Sequence, residues 1–280
     1  MIDADALAED AIGPFPGCLS ADLIRRYASA TGERSERPRA GLAVPAVAVV
    51  TQIWAAQEAG RSALVSEDLL AAASGGVHGE HDVVLHRPLV PDEPLRTWVH
   101  RFAARPAGRN ALVTLRYSTV DERDEVVAEQ LWTTVYLNAG CAAAGAPLPD
   151  HAFPAGARRR PVGEYTTTVD ADMPRRYAEV SGDWSDHHFD AAAARRSGFD
   201  RPFLHGLCTM ALGARAVVDA VAGGDPDRVR RVAVRFAAPA FVGADLRVGV
   251  YEAGGRSYAF EAISDGRAVL THGRVELRGE

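Results

Sequence analysis

Lysine is missing from this chain altogether, and all 31 basic residues are arginine. That excludes a Schiff-base lysine, a pyridoxal phosphate lysine and the lysine of a phosphate-binding P-loop. Cysteine is scarce as well. Cys18, Cys141 and Cys208 are odd in number and far apart, which suggests neither a disulfide framework nor a thiolate zinc site, and fits a reducing compartment. An excess of positive charge is also lacking. The formal charge is −6 and the pI is near 5.9, so the chain carries no electrostatic footprint for nucleic acid. No apolar run reaches the roughly 18 residues of a membrane span, and MIDADALAEDAIG at the N-terminus has acids where a signal peptide needs positive charge. The expectation is a cytoplasmic protein without membrane contact.

What is present is enough apolar material for a full core, 47% of 280 residues, arranged as a repeat. RRYASATGE at Arg25–Glu33 lines up with RRYAEVSGD at Arg175–Asp183 at an offset of 150, and VVLHRPLVPDEPL at Val83–Leu95 with VRFAAPAFVGADL at Val234–Leu246 at 151. Two distant blocks sharing nearly one offset imply a tandem duplication of an ordinary domain-sized unit. The expected division is a first repeat over residues 1–138, a small, Pro-rich and then basic linker over 139–162, and a second repeat over 163–280. Arg158–Arg160 in that linker reads as a solvated basic turn.

Each repeat has one order of elements. A short helix around a tyrosine, Tyr27 or Tyr177, stops at a glycine suited to a helix C-cap. An apolar stretch follows Pro45 or Pro202 and predicts a long buried helix, AVAVVTQIWAAQEAG in one repeat and GLCTMALGARAVVDAV in the other. Strand-like runs come next: His81–Leu89, Arg96–Ala103, Ala111–Val120 and Glu125–Leu137, then Arg231–Phe236, Asp245–Glu252, Ser257–Ser264 and Ala268–Leu277. One helix followed by an antiparallel meander is an α+β arrangement.

The chemistry-bearing residues gather in YAEVSGDWSDHHFDAAAARRSGFDRPFLHGLCTMAL, Tyr177–Leu212. Asp183 and His188 are a carboxylate and an imidazole able to share proton work. Gly206 opens the apolar helix, where its N–H has no intrahelical partner and points along the favourable end of the helix dipole. The first repeat is an internal control. Glu33 stands opposite Asp183, Pro38 opposite His188 and Ala48–Val49 opposite His205–Gly206, while the segment from Gly32 to Pro45 is 13 residues against 20 from Gly182 to Pro202. The second repeat is therefore expected to do chemistry while the first supplies a wall.

Ser181, Gly182, Asp183, Trp184, His188, Asp190, Gly198, Phe199, Pro202, Leu204, His205, Gly206, Leu207 and Cys208 fit a pattern that runs S-G-D-x-N-P-L-H, G-F, P-x-x-H-G-L. In this the segment resembles the MaoC-like, type 2 enoyl-CoA hydratases; Ser185, Asp186 and His187 stand where that family has Asn, Pro and Leu. The resemblance implies a double hotdog fold, two tandem repeats each with a long helix on an antiparallel sheet. It also implies a reversible hydratase or dehydratase converting a (2E)-enoyl thioester, on CoA or an acyl carrier protein, to the (3R)-3-hydroxyacyl thioester. No cofactor and no metal are implied, and a homodimer is left open. Asp183 and His188 take the place of the catalytic dyad holding one water, with Gly206, Ser185 and His205 as oxyanion and substrate-binding positions. His205 reads as a hydrogen-bonded structural residue and Cys208 as core. His187, whose side chain should point apart from that of His188, is expected either just behind the dyad or facing solvent. An acyl-thioester binding protein and a hotdog thioesterase are the alternatives.

Overall fold

The computed structural model describes residues 11–279, so most of the acidic N-terminal stretch lies outside the described residues. In the first repeat, β1 (Ile12–Cys18) leads into α1 (Ala21–Ala30), and a 3-10 helix over Ala46–Gln52 runs into α2 (Trp54–Leu64). Strands β2 (Gly76–Leu85), β3 (Pro94–Ala107), β4 (Asn110–Val120) and β5 (Val126–Tyr136) complete it, with a two-residue β6 (Ala144–Gly145) pairing with β3. The second repeat has β7 (Pro161–Thr168), α3 (Met173–Ser181), α4 (Ala191–Arg196), α5 (Gly206–Val221), β8 (Val229–Phe236), β9 (Asp245–Gly254), β10 (Ser257–Ser264) and β11 (Arg267–Leu277).

All strands join one sheet in the order β1-β3-β4-β5-β2-β8-β11-β10-β9-β7. Read outward from the β2–β8 seam, the two halves have the same order. The architecture is the double hotdog that the duplication implied. At the seam β2 and β8 run antiparallel with Asp82 opposite Ala233 and Val84 opposite Arg231, which removes two sheet edges within one chain. β1 and β7, the outermost strands, were not singled out in the sequence. Each pairs on one side only, and the two prolines of IGPFPGC are tolerated there because an edge strand leaves N–H positions unused.

The central helices differ. In α5, Leu207, Met210, Leu212 and Val217 are buried with the rest of its sheet-facing surface, each such side chain contributing roughly 1.5–3 kcal/mol. The expected single helix of the first repeat is instead broken at Ile53. Val47, Val49, Val50 and Thr51 are β-branched and fit an α-helix poorly, and Thr51 Oγ1 donates to Ala48 O at 2.9 Å. Strand β2 also begins earlier than expected, at Gly76 instead of His81, and ends at Leu85. Gly76 pairs with Tyr136, and Gly79 sits in a bulge between His78 and Glu80.

Helices α1 and α3 pack together, with Tyr27 and Tyr177 buried 6.0 Å apart, which gives the repeated tyrosine a packing role. The basic turn of the linker is tied down: Arg158 Nε donates to Glu261 at 2.8 Å. No helix among the described residues is long and apolar enough to cross a membrane.

The seam carries a mostly buried ion pair. Arg231 grips Asp82 through Nε at 2.9 Å and Nη2 at 2.6 Å and reaches Glu276 through Nη1 at 3.0 Å, with side chains only 12% and 8% exposed. Removing the guanidinium strands a desolvated carboxylate. Arg231→Ala should lower unfolding free energy by about 3 kcal/mol, read from chemical denaturation; a loss below about 1 kcal/mol, the range of exposed pairs, would contradict this.

Candidate active site

Helix α3 ends at Ser181, and Gly182 turns the chain left-handed (φ 80°) with its N–H on Ala178 O, which releases Asp183 sideways out of the helix. Ser185 then places both its donors on one oxygen of Asp183: its amide at 3.1 Å and its hydroxyl at 2.6 Å from Oδ1. The other oxygen, Oδ2, is left facing Nε2 of His188 at 3.8 Å. A 3-10 turn over Asp186–His188, closed by His188 N–H on Ser185 O, brings the imidazole inward.

His188 is buried, and its Nδ1 lies 2.8 Å from the carbonyl oxygen of Phe203. A carbonyl only accepts, so Nδ1 carries the hydrogen and Nε2 of the neutral ring presents a lone pair. Burial pushes the His188 pKa down to about 2, helped by neighbouring His205 and His187 and opposed by the Phe203 carbonyl. The facing atoms are therefore an imidazole lone pair and a carboxylate oxygen, both acceptors.

His205 is the residue before α5. Its Nε2 donates to the backbone oxygen of Asp183 at 2.9 Å, and its ring stacks on His188 at 3.7 Å and 25°. Burial lowers its pKa too. Gly206 is the first residue of α5; among the described residues its N–H finds no acceptor, the first paired amide of that end being Thr209 on His205 O. A Cβ at Gly206 would lie 3.2 Å from the Phe236 ring, so glycine lets the sheet approach the helix start. Asp183, His188 and His205 also have donor atoms within 4.8 Å of one another. Nearly parallel stacked imidazoles, however, do not converge their in-plane lone pairs on one ion at about 2 Å.

These residues line a cavity of about 590 Å³ whose opposite wall comes from the first repeat: Val50, Trp54, Val77, His78 and Trp132. Ser185, His187 and Arg196 are also at its surface. His187 is thus half-buried beside the dyad. In a 3-10 turn adjacent side chains sit about a third of a turn apart, and His187 stacks on Phe203 at 5.2 Å and 9°. Cys208 is buried in the core, and burial pushes its thiol up, so no nucleophile is poised there.

A family profile described as the MaoC like domain matches residues 153–271. The 3-hydroxyacyl-thioester dehydratase Y of Mycobacterium tuberculosis is 34% identical over 210 residues, covering 71% of this chain and 72% of that protein. The chain belongs to the MaoC-like dehydratase family. The peroxisomal enoyl-CoA hydratase 2 of Arabidopsis thaliana is 26% identical over 212 residues, covering 72% of this chain and 68% of that protein. In fold, a MaoC-like dehydratase from Phytophthora capsici superposes with a TM-score of 0.82 at 20% identity over the whole of both chains.

The structure brings together all five residues singled out in the sequence, Asp183, Ser185, His188, His205 and Gly206, around the one cavity. It adds the wall from the MaoC-like chain's first repeat, which lies outside the matched 153–271. A signal for it was available: two histidines, His78 and His81, stand three residues apart in the repeat without the dyad.

The buried neutral histidines link stability to pH. A histidine with a folded pKa below its unfolded value near 6.5 binds fewer protons folded than unfolded, so stability rises with pH between the two values and is flat above the higher. For His188 that window runs from about 2 to 6.5; His81, at about 4, acts in the same direction. Thermal midpoints should be level above pH about 6.5 and fall on acidification. His188→Gln should make that fall shallower by up to one proton. Equal slopes for both proteins would show that His188 is not held neutral.

Proposed function

We propose that this chain is a reversible hydratase and dehydratase of acyl thioesters, interconverting a (2E)-enoyl thioester and the (3R)-3-hydroxyacyl thioester on CoA or an acyl carrier protein. The observation that carries it is the 3.8 Å separation between His188 Nε2 and Asp183 Oδ2 beside the free N–H of Gly206. Two acceptors cannot bond one another. They can share a water that donates one hydrogen to each, since two legs of about 2.8 Å close a triangle on that base. A water held by both hydrogens has its lone pairs directed away from the dyad, toward a bound substrate.

In hydration, the water oxygen bonds to C3 as one of its protons passes to the dyad. The π pair between C2 and C3 shifts toward the carbonyl, whose oxygen gains charge. The dyad then returns a proton to C2, so that the elements of one water are added and none is left over. The Gly206 amide, at the positive end of α5, stabilises the carbonyl oxygen without reorganising; such a donor is worth on the order of 10² in kcat. Dehydration is the same path reversed. The names of the relatives, a 3-hydroxyacyl-thioester dehydratase and an enoyl-CoA hydratase, support this reading. We further assign chemistry to a repeat over residues 163–280 and a substrate wall to a repeat over 1–138, joined by 139–162.

Crotonyl-CoA tests the assignment directly. Loss of enoyl absorbance without free thiol is expected, while thiol release would mark a thioesterase and no change in either signal a binding protein. Asp183→Asn and His188→Ala should each lower kcat by about 10²-fold or more with the fold intact, and His187→Ala should be milder. Ser185→Ala keeps the amide bond to Asp183 and loses the hydroxyl one. It should lower kcat about tenfold with KM little changed, as expected for a group that orients the carboxylate. A rise in KM at constant kcat would instead place Ser185 on the substrate.

A further inference from the structure

The wall contributed by the first repeat sets one imidazole, His78, among Val50, Trp54, Val77 and Trp132. His78 stacks flat on Trp132 at 3.8 Å and 2°, and its ring meets Phe236 at 4.6 Å. Phe236 is the ring that approaches Gly206, so one aromatic side chain separates His78 from the expected place of the thioester carbonyl. The Nε2 of His78 is shut off from solvent and has no hydrogen-bond partner. His78 also lines a second cavity, of about 470 Å³, which shares Trp54, Trp132 and Ser185 with the first and continues to Gln57, Thr134 and Tyr136.

His78 is backed by a buried polar chain. Gln130 Nε2 donates to Val49 O at 3.3 Å, which turns its Oε1 to His81 Nε2 at 3.1 Å, and His81 meets His78 edge to face at 5.2 Å. The bulge at Gly79 lets residues 78 and 81 both face inward, and glycine is required there because a Cβ would sit 2.6 Å from Val135. The fold itself does not need histidines at these places. In the second repeat the strand is also irregular, and the residues at the offset of 151 are Val229 and Val232, both buried in the core; where His81 faces Trp132, Val232 faces Val275. Burying imidazole nitrogens unpaired is costly. A ligand that satisfies them offsets that cost only if it brings a polar atom to this point.

We propose that the acyl group carries an oxygen substituent, a hydroxyl or keto group a few carbons beyond the reacting double bond, which hydrogen-bonds to the His78 imidazole as the chain runs on into the second cavity. This rests on the hydratase and dehydratase reading above. It makes His78 a specificity-determining residue and excludes simple fatty acyl chains as the preferred substrates.

The test uses a plain enoyl-CoA and isomers of it with a hydroxyl walked one carbon at a time away from the double bond. Wild type should prefer at least one hydroxylated isomer by about tenfold or more in kcat/KM. His78→Val, the side chain of the second repeat, should reduce that ratio to about one, and His78→Gln should keep part of it. If the valine variant does not fold, His78→Phe, which keeps the stacking on Trp132, is read instead. No preference in wild type, or a preference that survives the loss of the imidazole, overturns the proposal. Should wild type hydrate none of the thioesters, the hydratase reading fails, and the saturated, unreactive counterparts are compared by calorimetry. Tighter binding of a hydroxylated chain that is lost in the variant still supports the polar contact; equal affinities overturn it.

Discussion

The account depends on a gap that is held open between two hydrogen-bond acceptors. A histidine near a carboxylate ordinarily gains a proton and closes onto it. Here burial opposes the charge on His188, the Phe203 carbonyl fixes the tautomer, and Ser185 holds the Asp183 carboxylate by its far oxygen. His205 ties the backbone of Asp183 to the start of α5, so the dyad and the Gly206 amide move as one unit. The ties between neutral groups are worth about 1 kcal/mol net each, and those to the carboxylate about 1.5–3 kcal/mol. Their joint effect is geometric: an acceptor pair at the separation where one water fits and a direct bond does not.

Duplication explains why such a site can be built on one side only. The segment from Gly to Pro is seven residues longer in the second repeat, and there it carries Ser185, His188 and α4. The first repeat, whose helix breaks at Ile53, places Trp54 in the cavity wall instead.

The sequence carried the second repeat's site almost completely, because its residues lie within 24 positions from Asp183 to Gly206 and their spacing is local. The four strands after each helix were legible from alternation and turn residues. The edge strands β1 and β7 were not, since an edge strand is short of the two-sided pairing that selects a clear apolar pattern. The break at Ile53 was missed because continuous apolarity says buried without saying helical. The expected strand opened at His81, so it lost its first five residues, the bulge at Gly79 among them, and His78 its place. What brings His78 to the cavity is pairing with β5, some 50 residues away, which no local pattern reports.

The central claim is that His188 is a neutral imidazole with its Nε2 lone pair toward Asp183. Nitrogen-15 NMR of the histidine side chains in the intact protein measures this. The account predicts a His188 signal with Nδ1 protonated and Nε2 bare, unchanged from pH 8 down to about pH 5, as burial requires. A His188 ring protonated on both nitrogens at pH 7 would contradict it, since a cation there would bond the carboxylate directly and leave no acceptor pair for a water.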